Sequence, residues 1–146
     1  MGGESWPRIR ASRLGTGVVL DGQVVLALRI REDPNHERVL GTVGALVRQR
    51  LPLVVSSLSL YEAARRMEAR EGPRAALLLW RQAGEVFNIV FPTGEDLAAA
   101  EEFLSQELPE VGLEQAVIAV LARRLGCSVY GLSPIYHLLH LPVLVD

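Results

Sequence analysis

The sequence predicts a three-layer α/β sandwich around a central, mainly parallel sheet of about five short strands. Two observations lead there. Short apolar runs rich in Val and Leu, most of them closed by Gly, Pro or Asp, recur along the chain. Between them lie longer stretches in which apolar residues return at helical spacing. Apolar strands alternating with amphipathic helices imply a parallel sheet covered on both faces.

Residues 1–15 stand apart. They carry Gly2, Gly3, Pro7, Gly15 and three arginines without sustained periodicity, and Trp6 is the one candidate anchor. We assign them to an N-terminal extension and residues 16–146 to one domain. Val18-Val19-Leu20 is the first strand, stopped by Asp21-Gly22, and residues 24–30 form a short helix. Asp33-Pro34-Asn35 breaks it, and Asn35 caps a helix over 36–50 in which Val39, Val43, Leu46 and Val47 share a face. Pro52 to Val55 is the second strand. Ser57 caps the next helix, whose stripe is Leu60, Ala64 and Met67, and Pro73 opens another that runs through Gln82.

Residues 86–90 form a strand closed by Pro92. Thr93, followed three residues later by Asp96, has the spacing of a capping box, and that helix carries Leu97, Ala100 and Leu104 on one face. Residues 113–125 form a helix stopped by Gly126, apolar all round at its centre and therefore buried between layers. Ser128-Val129-Tyr130 is a strand, 134–140 a short helix or turn, and 141–145 a final strand.

Composition narrows the function classes. The 146 residues include 49% hydrophobic and 22% charged, the balance of a folded globular chain. A net charge of -2 supplies no global attraction to nucleic acid or an anionic membrane, so a polyanion has to meet a local basic patch. All 15 basic residues are arginine. The single cysteine, Cys127, excludes an internal disulfide and a cysteine zinc cluster, which points to a reducing, cytoplasmic setting. Apolar runs such as 116–122 fall far short of the roughly 20 residues a membrane helix needs, and no membrane partner is expected.

In parallel α/β folds ligands bind beyond the carboxyl ends of the strands, near the point where strand order reverses. Asp21 ends the first strand at that rim, and Glu62 lies early in the helix after the second. Two carboxylates converging there are a seed for a hard cation such as Mg²⁺, which takes oxygen ligands and keeps several waters. Each also has a purely structural reading. Asp21 can be a turn residue that accepts backbone hydrogen bonds, and Glu62 can pair with Arg65 or Arg66 at helical spacing.

Val18-Val19-Leu20-Asp21 with its following helix resembles the opening of PIN domains, in which a strand delivers an Asp. Leu53-Val54-Val55-Ser56-Ser57-Leu58-Ser59-Leu60-Tyr61-Glu62-Ala63 resembles their second motif, which carries a Glu. Gly112-Leu113-Glu114-Gln115-Ala116 is similar to the helix bearing their third acid, and Gly131-Leu132-Ser133 falls where the family has Thr-x-Asp. The resemblance spans roughly residues 16–146. It implies a PIN-like fold and the activity of VapC toxins, Mg²⁺- or Mn²⁺-dependent endoribonucleases paired with an antitoxin. It also implies a site at Asp21, Glu62, Gln115 and Ser133, with Asp21 and Glu62 as the metal ligands.

The departures matter as much. Aligned this way, the third acid is Gln115 and the fourth is Ser133, so two carboxylates become an amide and a hydroxyl. The Ser or Thr that usually follows the first Asp is Gly22. Weak or absent Mg²⁺ or Mn²⁺ binding and weak or lost nuclease activity are therefore expected, with a non-catalytic scaffold for RNA or a protein partner as the alternative. Glu114 compensates only by turning about 100° around its helix; Glu110 and Asp33 are further candidates. The expected partners are RNA, an antitoxin-like protein and a second copy of the chain, the last through the apolar helices between Ser57 and Gln82.

His137 and His140 have ligand spacing but no evident third partner, and a turn imidazole is the simpler reading. Cys127, after a helix C-terminus, reads as an inert buried thiol. Arg65, Arg66, Arg123 and Arg124 read as solvated helix faces or as contacts to RNA phosphate. Trp80 and Phe103 read as core or dimer contacts.

Overall fold

The strand runs place four short strands side by side in a computed structural model that describes residues 17–106, 110–139 and 141–144. They are β1 (Val18–Leu20), β2 (Leu53–Ser56), β3 (Asn88–Val90) and β4 (Ser128–Tyr130), all parallel, in the order β3-β2-β1-β4. Val19 lies opposite Val54 on one side and Val129 on the other. Because side chains alternate along a strand, Val18 and Leu20 enter one core and Val19 the other. That is why the sequence is apolar at every position of β1.

Among the described residues six α-helices cover the sheet: α1 (Gly22–Arg29), α2 (His36–Arg48), α3 (Ser57–Glu71), α4 (Pro73–Val86), α5 (Gly94–Ser105) and α6 (Leu113–Leu125). The first four contribute to the core that holds Val18, Leu20 and Val55, with Val39, Leu60, Met67 and Leu79 among its buried side chains. The last two contribute to the core around Val19, Val54 and Val129, with Phe103, Ile118 and Leu121. A 3-10 turn (Pro134–Leu138) closes that side.

Several expectations are corrected. The sheet has four strands rather than about five: residue 143 makes only an isolated parallel bridge to Val129. Pro142 brings no N–H to a ladder there, and its carbonyl accepts from Val129. β3 starts at Asn88, because α4 continues past Gln82 to Val86 and buries Ala83. α2 stops at Arg48, two residues short, and Asn35 makes no side-chain cap. Ser56 rather than Ser57 caps α3, accepting from the Leu58 amide.

On α5 the buried face is Asp96, Ala100 and Phe103, while Leu97 is exposed. The reason is an ion pair: Asp96 turns inward to meet Arg124 of α6 at 2.8 Å. The capping box of Thr93 and Asp96 opens α5, and the left-handed Gly126 (φ 67°) ends α6, as the sequence predicts. The proposed extension, residues 1–15, lies outside the described residues. Among the described residues, no helix is long and apolar enough to cross a membrane.

Strand order turns back at β1, which has β2 on one side and β4 on the other. The crevice beyond the carboxyl ends of β1 and β4 is therefore the place for a ligand. Residue 21 and residues 131–136 meet there.

Candidate functional site

Asp21 leaves β1 buried, 2% exposed, as the N-cap of α1. Its Oδ1 accepts from the Val24 amide at 2.9 Å, and its Oδ2 accepts from the Tyr136 hydroxyl at 3.1 Å. Burial pushes the carboxyl up to about 6, against the lowering effect of the Val24 amide, and the charge of Glu114 pushes the same way. Burial, together with the charges of Asp21 and Glu114, also drives the Tyr136 phenol far above its ordinary value, so it stays a proton donor. Asp21 thus makes the backbone bonds of its structural reading while standing at the rim.

The second carboxylate at this point is Glu114. Its Oε2 accepts from the Gly22 amide at 2.8 Å, at the first residue of α1, where the unpaired amides of a helix favour an anion. At the start of α6 two neighbouring side chains take different partners, and both line the cleft described below. Gln115 bends back so that its Oε1 accepts from the Gly112 amide at 2.9 Å, forming half of a capping box, and Glu114 reaches Gly22. Gly22 permits the approach: a Cβ there would stand 2.9 Å from both Glu114 Oε2 and the Ser59 carbonyl oxygen.

A cleft of about 570 Å³ opens over this point, lined by Asp21, Glu62, Glu110, Glu114 and Gln115 with Arg66. Asp21 and Glu62 therefore border the same space. Glu62 is also an ion-pair partner, 2.9 Å from Arg66 and 3.3 Å from Arg65, and the Arg66 hydrogen bond chiefly holds its carboxyl below the usual range. Ser133 does not line the cleft; its Oγ caps the 3-10 turn, accepting from the Ile135 amide at 3.3 Å. Asp33 accepts from the Asn35 amide at 2.7 Å and is absent from the cleft lining.

Sequence reasoning missed Tyr136 and the direction of Glu114. The second had a signal, since Gly112 and Gln115 have the three-residue spacing of a helix start that draws the third side chain backwards. The first had none, because its partner is 115 residues away in sequence.

The remaining candidates are placed elsewhere. His137 is exposed, and His140 lies outside the described residues. Cys127 is buried, and burial pushes its thiol up. Arg124 binds Asp96 through two nitrogens, and Arg123 donates to the Leu139 carbonyl and lies 5.4 Å from the Phe103 ring centroid. Phe103 is core, whereas Trp80 is 40% exposed on α4.

A family model described as the PIN domain matches residues 18–130. The chain belongs to the PIN family. Among solved structures, VapC20 of Mycobacterium tuberculosis, a Sarcin-Ricin loop cleaving toxin, is similar to it with a TM-score of 0.74 and 20% identity. That likeness covers 89% of this chain and 100% of the other. VapBC2 of Rickettsia felis, bound to a DNA fragment from its promoter, gives 0.67 and 12%, over 88% of this chain and 96% of the other. FitAcB of Neisseria gonorrhoeae gives 0.61 and 16% with the same coverage, 88% and 96%. Among curated proteins, no sequence match was found.

PIN nucleases generally use Mg²⁺ or Mn²⁺, and the donor set here can be tested against such an ion. Asp21 and Glu114 present oxygen atoms, the ligands a hard cation takes. A buried carboxyl raised to about 6, with another carboxylate adding to the rise, is the environment a cation relieves. Among the described residues, no three His, Cys, Asp or Glu side chains gather as one ligand group. Two carboxylates suffice for Mg²⁺, which keeps waters and takes further oxygens from a phosphate. The residues fit.

Proposed function

We propose that this PIN-family chain is a metal-dependent endoribonuclease of the VapC type. Asp21 and Glu114 would hold Mg²⁺ or Mn²⁺, and Glu62 and Gln115 would line the cleft as outer ligands or water positioners. The observation that carries the reading is the hydrogen bond that the Gly22 N–H donates to Glu114 beside the buried Asp21, which supplies a second acid next to the amide of Gln115. When bound, such an ion lowers the pKa of a coordinated water and offsets charge on a phosphodiester. The chain's own contribution is to fix two carboxylates at one helix start, to exclude water from Asp21 by burial, and to face RNA with Arg66.

Two observations favour a second reading, a PIN scaffold that binds RNA or a protein with little or no turnover. Glu62 is engaged by Arg65 and Arg66, and Ser133, where the family carries its fourth acid, caps its own turn. Weak activity is the expectation that joins both readings. The partners proposed are RNA, an antitoxin-like protein and a second copy, with Tyr61, Leu77, Leu78 and Trp80 of α3 and α4 as the exposed apolar face for the last. Sedimentation should give a dimer that Leu77→Arg dissociates.

The deciding experiment is a titration of Mg²⁺ and Mn²⁺ followed by thermal unfolding and by cleavage of structured RNA. Wild type is expected to gain stability and to cleave slowly. Asp21→Asn and Glu114→Gln are each expected to lose both responses, and Gln115→Ala to retain most of the metal response. No stabilisation at millimolar metal leaves the scaffold reading in possession of the site.

A further inference from the structure

Tyr136 is fully buried in the 3-10 turn after β4, and its hydroxyl reaches across to Asp21 Oδ2. Its ring fills the space beside Gly131. A Cβ on that residue would overlap the ring and stand 2.7 Å from Asp21 Oδ2. The glycine, the ring and the carboxylate therefore form one fitted unit at the end of β4. Oδ1 is meanwhile held by the Val24 amide, so each oxygen of Asp21 has a fixed donor.

We propose that Tyr136 is a positioning residue for Asp21: its hydroxyl sets the rotation of the carboxylate so that its remaining lone pairs face the cleft. Gly131 is glycine because the ring needs its space. The chemistry of the donor is the reason a phenol serves here. An arginine at this place would neutralise the carboxylate and compete with a cation, whereas a phenol orients it and leaves its negative charge intact. Hydrogen-bond partners behind a ligating carboxylate fix its direction, and removing one typically lowers metal affinity tenfold or more. The proposal rests on the metal-binding reading of Asp21 given above.

The test compares wild type, Tyr136→Phe and Asp21→Asn by Mn²⁺ affinity, from water-proton relaxation, and by unfolding of the metal-free protein. Phe keeps the ring and removes only the hydroxyl. Mn²⁺ affinity is expected to fall about tenfold, with the modest drop in metal-free melting temperature that loss of one buried donor brings. Unchanged Mn²⁺ affinity overturns the proposal. So does a lowered melting temperature with affinity intact, since that is what a merely structural tyrosine would give. A second measurement requires no variant to fold: in wild type labelled at the tyrosine ζ-carbon, added Mg²⁺ is expected to shift the Tyr136 resonance. A stationary signal with metal demonstrably bound overturns the proposal. Failure of the wild type itself to bind metal removes the metal-binding reading first and this one with it, so the two failures are told apart by the wild type alone.

Discussion

Asp21 meets opposing demands: as the N-cap of α1 it is best ionised, and as a buried side chain beside Glu114 it is best neutral. Burial wins, and the folded carboxyl titrates at about 6 instead of 3.8. A raised carboxyl binds its proton more tightly in the folded state, so its contribution to stability is fully present below about pH 4 and is lost as pH rises through about 6. The loss amounts to about 3 kcal/mol. Urea unfolding of metal-free protein between pH 4 and 7 should show this fall, and Asp21→Asn should lack it. A bound divalent cation competes with the same proton, so Mg²⁺ should stabilise the wild type more at pH 7 than at pH 5. The carboxylate itself was legible in the sequence as the end of an apolar run. Its partners were not, because Tyr136 and Glu114 come from segments more than 90 residues away.

At the scale of the element, helix ends decide which side chain reaches the site. The half cap of Gln115 on Gly112 draws that amide back along α6, and neighbouring positions on a helix point about 100° apart. Glu114 is therefore delivered to Gly22 by an ordinary helix start. Gly22→Ala would press a methyl against the Ser59 carbonyl oxygen and Glu114 Oε2, so a loss of about 1–3 kcal/mol is expected, with weakened Mg²⁺ response. The Thr93 box is the counterpart on α5, the helix packed beside α6. Thr93→Ala should cost about 1 kcal/mol by thermal unfolding.

Arg124→Met, which leaves the buried Asp96 short of two donors, should cost about 1–3 kcal/mol. Burial raises the Asp96 carboxyl, but the Thr93 amide and Arg124 together bring it below its ordinary value. Its contribution is thus present above about pH 4 and lost in more acid solution. The Thr93 box was legible because both partners lie within one turn. The inward face of α5 was not: Leu97 fits the helical stripe as well as Asp96 does, and only the position of Arg124 on α6 selects between them.

Across the whole molecule, β1 ties the site to the core. It is hydrogen-bonded on both edges and buried on both faces, and the next residue is Asp21. Leu20→Ala should therefore cost about 2–5 kcal/mol in urea unfolding. Because the strand end moves with its packing, that variant should also weaken the Mg²⁺ response, unlike a buried substitution in α2 such as Val39→Ala. By itself the amino-acid order determined the alternation of strands and helices, the parallel sheet, the caps at Thr93 and Gly126 and the rim position of Asp21, since each depends on residues close together along the chain. It did not determine strand order, the reduction of residues 141–144 to a single bridge, or which acid stands beside Asp21. Those follow from packing between distant segments, where the tertiary fold chooses among side chains that local pattern leaves equivalent.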